Sequence, residues 1–151
     1  MNQLSANGLQ FIKSFEGFSA FPYLDSAQVP TIGYGTIVYD DGTRVTMDDP
    51  SITEAQAEVF LRYQIEQKTT LVDQMLTYPV NQNQYDALIS FAYNLGVGAL
   101  HGSTLLDLVN QGNLDAAADE FPKWNHANHV VVDGLTRRRA AERVLFLTPV
   151  V

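Results

Sequence analysis

Residues 8–35 read GLQFIKSFEGFSAFPYLDSAQVPTIGYG, and their texture changes midway. Leu9, Ile12 and Phe15 recur at helical spacing, with Ser5 where an N-cap belongs and Gly17 where a helix stops. From Phe18 to Val45, glycines and prolines alternate with β-forming residues. The run Tyr34-Gly35-Thr36-Ile37-Val38-Tyr39 leads into Asp40-Asp41-Gly42-Thr43, and Asp-Gly between such runs signals a hairpin. A helix followed by a small antiparallel sheet is predicted.

Downstream the pattern turns helical. Thr53-Glu54-Ala55-Gln56 reads as a capping box, and few breakers follow until about Thr77. At about 1.5 Å per residue such a helix would span a small domain. Pro79 stops it, and Asn81 caps a helix carrying Tyr85, Leu88, Ile89, Ala92 and Leu95 that ends at Gly96. Shorter helices are predicted at Ser103–Asn110 and Asn113–Phe121, and a last one from Asp133 or Gly134 to Leu147. The economical reading is one α+β domain over residues 1–151, with two lobes and a cleft between them. The N-terminal α/β lobe is expected at about 12–60 and the helical lobe at about 61–151, with the first helix packed on the second lobe.

Composition narrows the function. The chain has 151 residues, 46% of them apolar, which is enough for a packed core. It contains no cysteine, so disulfides and thiolate metal sites are excluded. Its formal net charge of −8 argues against nucleic acid as a partner. It also denies the chain long-range attraction to anionic polymers. No signal peptide and no apolar run of roughly 18 residues is visible, so cytoplasmic synthesis without membrane insertion is expected. His101, His126 and His129 lack acidic partners at metal-ligand spacing, and no phosphate-binding loop joins a strand to a helix. A monomer without cofactor is expected.

The chemistry concentrates between residues 15 and 35. Glu16 ends the first helix between Phe15 and Phe18, where partial desolvation and the helix dipole both favour a protonated carboxyl. Asp25 follows nine residues later in a turn region, where hydration favours the ionised form. Two carboxyls held in different states are the usual equipment for hydrolysing a glycosidic bond. Taken singly, each residue has an ordinary reading: a solvated Glu at a helix end, an Asp in a turn, a Thr at position 31 chosen for β-propensity.

The string Gly8-Leu9-x-Phe11-Ile12-Lys13-x-Phe15-Glu16-Gly17, then Tyr23-Leu24-Asp25, then Thr31-Ile32-Gly33-Tyr34-Gly35 closely resembles the opening of phage-type lysozymes, the endolysins of glycoside hydrolase family 24. Gln84-x-Asp86-Ala87-Leu88-x-Ser90-Phe91-Ala92-Tyr93-Asn94-Leu95-Gly96 resembles that family's central helix, and Ser103-Thr104-Leu105-Leu106 the segment after it. Gly134-Leu135-x-x-Arg138-Arg139-x-x-Glu142 resembles its closing helix. The resemblance covers about residues 5–147. It implies a lysozyme-like two-lobed fold joined by a long helix, and peptidoglycan glycan strands as substrate.

The resemblance also implies roles. Glu16 would protonate the glycosidic oxygen between N-acetylmuramic acid and N-acetylglucosamine. Asp25 would stabilise the cationic transition state or help activate water, and Thr31 would position that water. Asn94, Tyr34 and Arg138 are the expected substrate-binding residues. Asn94 also reads simply as a helix terminus, and Trp124 as a core anchor. One departure is Thr36, where the family often has His. Among Arg137, Arg138, Arg139 and Arg143, one or two are expected to point inward, with Arg139 able to pair with Glu142 or an arginine with Glu16. A solvated basic helix is the ordinary alternative. Phage-driven host lysis through a separate membrane-perforating protein is the leading reading. A chitin-type glycosidase and a non-catalytic wall-binding or virion module are the competitors.

Overall fold

Local capping chemistry sets the helix starts. In the computed structural model, which describes residues 2–151, the Ser5 hydroxyl accepts the Gly8 amide at 2.9 Å and opens α1 (Ala6–Glu16). Thr53 and Gln56 form the capping box of α2 (Glu54–Met75): Thr53 Oγ1 accepts the Gln56 amide at 3.2 Å, and Gln56 Oε1 accepts the Thr53 amide at 2.9 Å. Asn81 and Gln84 repeat the device at α3 (Gln82–Leu95). Asn110 closes the far end of α2, accepting the Thr77 amide and donating to the Met75 carbonyl, both at 2.9 Å.

The chain forms two compact units. The first comprises the residues up to Leu9 together with Lys68–Val151, and the second comprises Gln10–Gln67. The chain passes between them inside α1 and inside α2.

In the second unit, β1 (Ser19–Leu24) pairs antiparallel with β2 (Pro30–Gly33), with Tyr23 opposite Thr31 and Leu24 opposite Pro30. Ile12, Ile32, Tyr34, Val45, Ala57, Leu61 and Ile65 form the core. Lys13 pairs with Glu58 and lies 5.3 Å above the Tyr34 ring, tying α1 to α2. The loop before α2 is pinned by Asp49, which accepts from Thr46 and Tyr39. Those bonds, Thr46 first, hold its carboxyl below the usual carboxylate range.

The sheet differs from expectation in where it turns. Asp41-Gly42 closes only an isolated bridge between Val38 and Arg44. The true hairpin turns at Asp25–Val29, with Gln28 in the left-handed region at φ 64°. Gly33 and Gly35, at φ 66° and 86°, bend the chain where a strand from Tyr34 was expected.

The first unit is helical. α3 is buried from Tyr85 to Ala92 and packs against α7 (Asp133–Leu147). Phe91, Phe121, Phe146 and Trp124 make an aromatic cluster, with neighbouring ring centroids 5.4–5.8 Å apart. Trp124 is half-buried and meets the core edge-on through Phe91. Between α3 and α7 run α4 (Val97–His101), α5 (Thr104–Asn110) capped by Ser103, α6 (Leu114–Ala118), a single 3-10 turn at Phe121–Lys123, and a hairpin of β3 (His126–Ala127) with β4 (Val130–Val131). The predicted helix Asn113–Phe121 is therefore shorter than expected. α4 and the hairpin were not foreseen.

No helix among the described residues is long and apolar enough to cross a membrane. Among the same residues, no group of three or more His, Cys, Asp or Glu could hold a metal.

Candidate active site

Three local devices deliver the candidate catalytic residues, all in the second unit. Glu16 is the last residue of α1 and is half-buried. Gly17, at φ 68°, ends the helix by donating its amide to Lys13 at 3.0 Å. The Phe15 ring before it packs on Phe11 at 5.2 Å.

Asp25 sits where β1 turns. Its Oδ1 accepts the amides of Ala27 at 2.8 Å and Val29 at 2.9 Å, so the hairpin backbone fixes the carboxylate. Thr31 lies on β2 and is only 3% exposed. Its hydroxyl donates to the Val29 carbonyl at 2.8 Å.

Tyr23 links these groups. It is the cross-strand partner of Thr31, so both side chains stand on one face of the two-stranded sheet. Burial raises the pKa of its phenol, and the nearby charges of Glu16 and Asp25 raise it further. Asp25 and Thr31 meet at Val29, whose amide and carbonyl they respectively bind, and Tyr23 stands across the sheet from Thr31. The sequence reading passed over Tyr23. The signal was available in its place two residues before Asp25, on the strand opposite Thr31.

Tyr34 is 6% exposed, with its ring 5.6 Å from Phe18 and under the Lys13 ammonium. It packs as part of the core of the second unit. Thr36 is 1% exposed and exchanges backbone hydrogen bonds with Ile32, but its hydroxyl has no hydrogen-bond partner among the described residues. A buried hydroxyl without a partner costs about 1–3 kcal/mol. Thr36→Val keeps the shape and removes that penalty. We expect it to raise stability by about 1 kcal/mol, roughly 2–4 °C in melting temperature. Thermal denaturation checks this, and a lowered melting temperature would contradict it.

Asn94, Arg138 and Arg139 belong to the first unit. Asn94 Oδ1 accepts from Arg139 at 2.8 Å, so its amide is oriented by the closing helix. Arg139 and Glu142 are fully buried and Arg138 nearly so, at 4% exposure. Glu142 lies 2.6 Å from Arg139 Nε and 3.4 Å from Arg138 Nε, and accepts the Ser90 hydroxyl at 2.6 Å. Arg138 also donates to Ser90, at 3.2 and 3.3 Å. The pairing of Arg139 with Glu142 is as expected. The solvated-helix alternative fails for both arginines, because residues three and four before Glu142 converge on one carboxylate. Arg143 instead pairs with Asp119 at 2.8 Å, and Arg137 is exposed.

The family model for phage lysozyme matches residues 13–142. The endolysin of Bacillus phage B103 is 45% identical over 145 residues, covering 96% of this chain and 54% of that protein. The chain thus spans about half the length of that curated relative. Among solved structures, the endolysin of Escherichia coli O157:H7 phage FAHEc1 superposes with a TM-score of 0.91 at 40% identity, covering 97% of this chain and 94% of that one. The muramidase domain of SpmX from Asticaccaulis excentricus superposes with a TM-score of 0.83 at 34% identity, covering 99% of this chain and all of that one. With an α+β fold of this kind and matches of that extent, the chain belongs to the phage lysozyme family.

Proposed function

We propose that the chain is an endolysin acting as a muramidase, hydrolysing the β-1,4 bond between N-acetylmuramic acid and N-acetylglucosamine in peptidoglycan during phage-driven lysis. The observation carrying this reading is that Asp25 and Thr31 are both held on Val29 of the β1–β2 hairpin, with Glu16 ending the helix that leads into it, in a member of the phage lysozyme family. Similarity to endolysins and to a muramidase domain supports the choice of bond.

In this reading Glu16 gives its proton to the glycosidic oxygen as the bond to the anomeric carbon breaks. A water held by Thr31 forms the new bond from the opposite face, and Asp25 accepts the proton that water loses. Glu16 is left ionised and Asp25 protonated, and exchange with solvent resets both. A water attacking from the far face inverts the anomeric configuration. Asn94 hydrogen-bonds an N-acetyl group. Tyr34 and Arg138, the other expected substrate-binding residues, are both buried and make no direct contact with the glycan in this reading. Action on the wall after cytoplasmic synthesis requires a separate membrane-perforating protein, and that route is part of the proposal.

Incubation with purified peptidoglycan sacculi and with chitin tests the reading. Release of reducing ends from sacculi is expected. Release from chitin alone would make the chain a chitin-type glycosidase. Binding to sacculi with no release would make it a wall-binding module.

A further inference from the structure

The hydrogen-bond inventory around the attacking water is incomplete with Asp25 and Thr31 alone. The Thr31 proton is already committed to the Val29 carbonyl at 2.8 Å, so toward a water that hydroxyl can only accept. An ionised Asp25 can only accept as well. Both protons of the water are then taken up, one by each residue. Two lone pairs remain. One attacks the anomeric carbon, and the other needs a donor if its direction is to be fixed.

We propose that Tyr23 is a water-positioning residue, whose hydroxyl, set across the sheet from Thr31 and two residues before Asp25, donates the hydrogen bond that orients the attacking water. This rests on the muramidase reading of the same site. The β1–β2 register brings Tyr23 and Thr31 onto one face, with their Cβ atoms about 5 Å apart as in any directly opposed pair. Tyr23 remains 37% exposed while Thr31 is covered, so the phenol reaches the solvent side of the pair, where a substrate water would arrive. Burial and the two neighbouring carboxyls keep the phenol protonated, so it stays a donor wherever the enzyme works. With Tyr23 in place, the water donates to Asp25 and Thr31, accepts from Tyr23, and has one lone pair left for bond formation.

Steady-state kinetics on soluble glycan strands provides the test. Tyr23→Phe keeps the ring opposite Thr31 in the sheet and removes only the hydroxyl. The expected result is a fall in kcat of about tenfold to a hundredfold, with KM within about twofold, as for a misplaced reactant. Combined with Thr31→Val, the loss should be clearly smaller than the product of the two single losses, because both act on one water. Unchanged kcat in Tyr23→Phe, a loss confined to KM, or losses that multiply would each overturn the assignment. Wild type inactive on the strands would overturn the muramidase reading beneath it. Active wild type with inactive Glu16→Gln and fully active Tyr23→Phe would overturn only the role of Tyr23.

Discussion

Glu16→Gln is expected to lower kcat on peptidoglycan by about 10²–10⁴-fold, the range that a positioned general acid contributes. The amide matches the carboxyl in shape, so the half-buried end of α1 is retained and KM should hardly move. What is lost is the transferable proton. The leaving sugar oxygen must then depart as an alkoxide, and no other acid in the second unit ends a helix as Glu16 does. Asp25→Asn should also reduce kcat, but leaves the acid intact. Reducing-end release at saturating substrate measures both. A Glu16→Gln enzyme within tenfold of wild type would remove Glu16 from the acid role.

The largest expected effect on stability lies in the first unit. Glu142→Ala should destabilise the protein by about 3–5 kcal/mol, because it leaves two buried guanidinium groups without their carboxylate. Arg139 and Glu142 are both fully buried, and burial alone pushes Glu142 up and Arg139 down, each toward its neutral form. Their mutual attraction and the Ser90 hydroxyl oppose that push. Removing one partner therefore exposes the whole desolvation cost of the other. The melting temperature should fall by roughly 6–20 °C for a chain of this length. Replacing all three together, as Arg138→Met and Arg139→Met with Glu142→Leu, should recover most of the loss. A fall below about 1 kcal/mol in Glu142→Ala would show that the cluster is not desolvated as described.

Features that depend on neighbouring residues were the legible ones. Ser5, Thr53 and Asn81 each cap the helix expected of them, because a cap is a bond within three residues. The order of Glu16, Asp25 and Thr31 along the chain was readable for the same reason. That Thr31 comes to face Tyr23 was not, because it depends on the pairing of β1 with β2 across a turn.

That turn was misplaced for a physical reason. Asp41-Gly42 advertises a hairpin, whereas the actual one puts Gln28 at φ 64° with no glycine to mark it. The β3–β4 hairpin hid in the same way, with Asn128 and His129 at φ 51° and 66°. α4 is five residues long, too short to show a period. An inward arginine and the pairing of Arg139 with Glu142 were legible along the helix, whereas Ser90, on another helix, joins the cluster only through the fold.

The bond that is cut tests the central claim most directly. Purified peptidoglycan digested by the wild-type chain is reduced with borohydride, and the new chain ends are identified by mass spectrometry. Reduced N-acetylmuramic acid at the new ends is the expected result, since Glu16 is assigned to the oxygen that leaves N-acetylmuramic acid. Reduced N-acetylglucosamine in its place would mean that the opposite bond is cut, and would contradict the muramidase assignment.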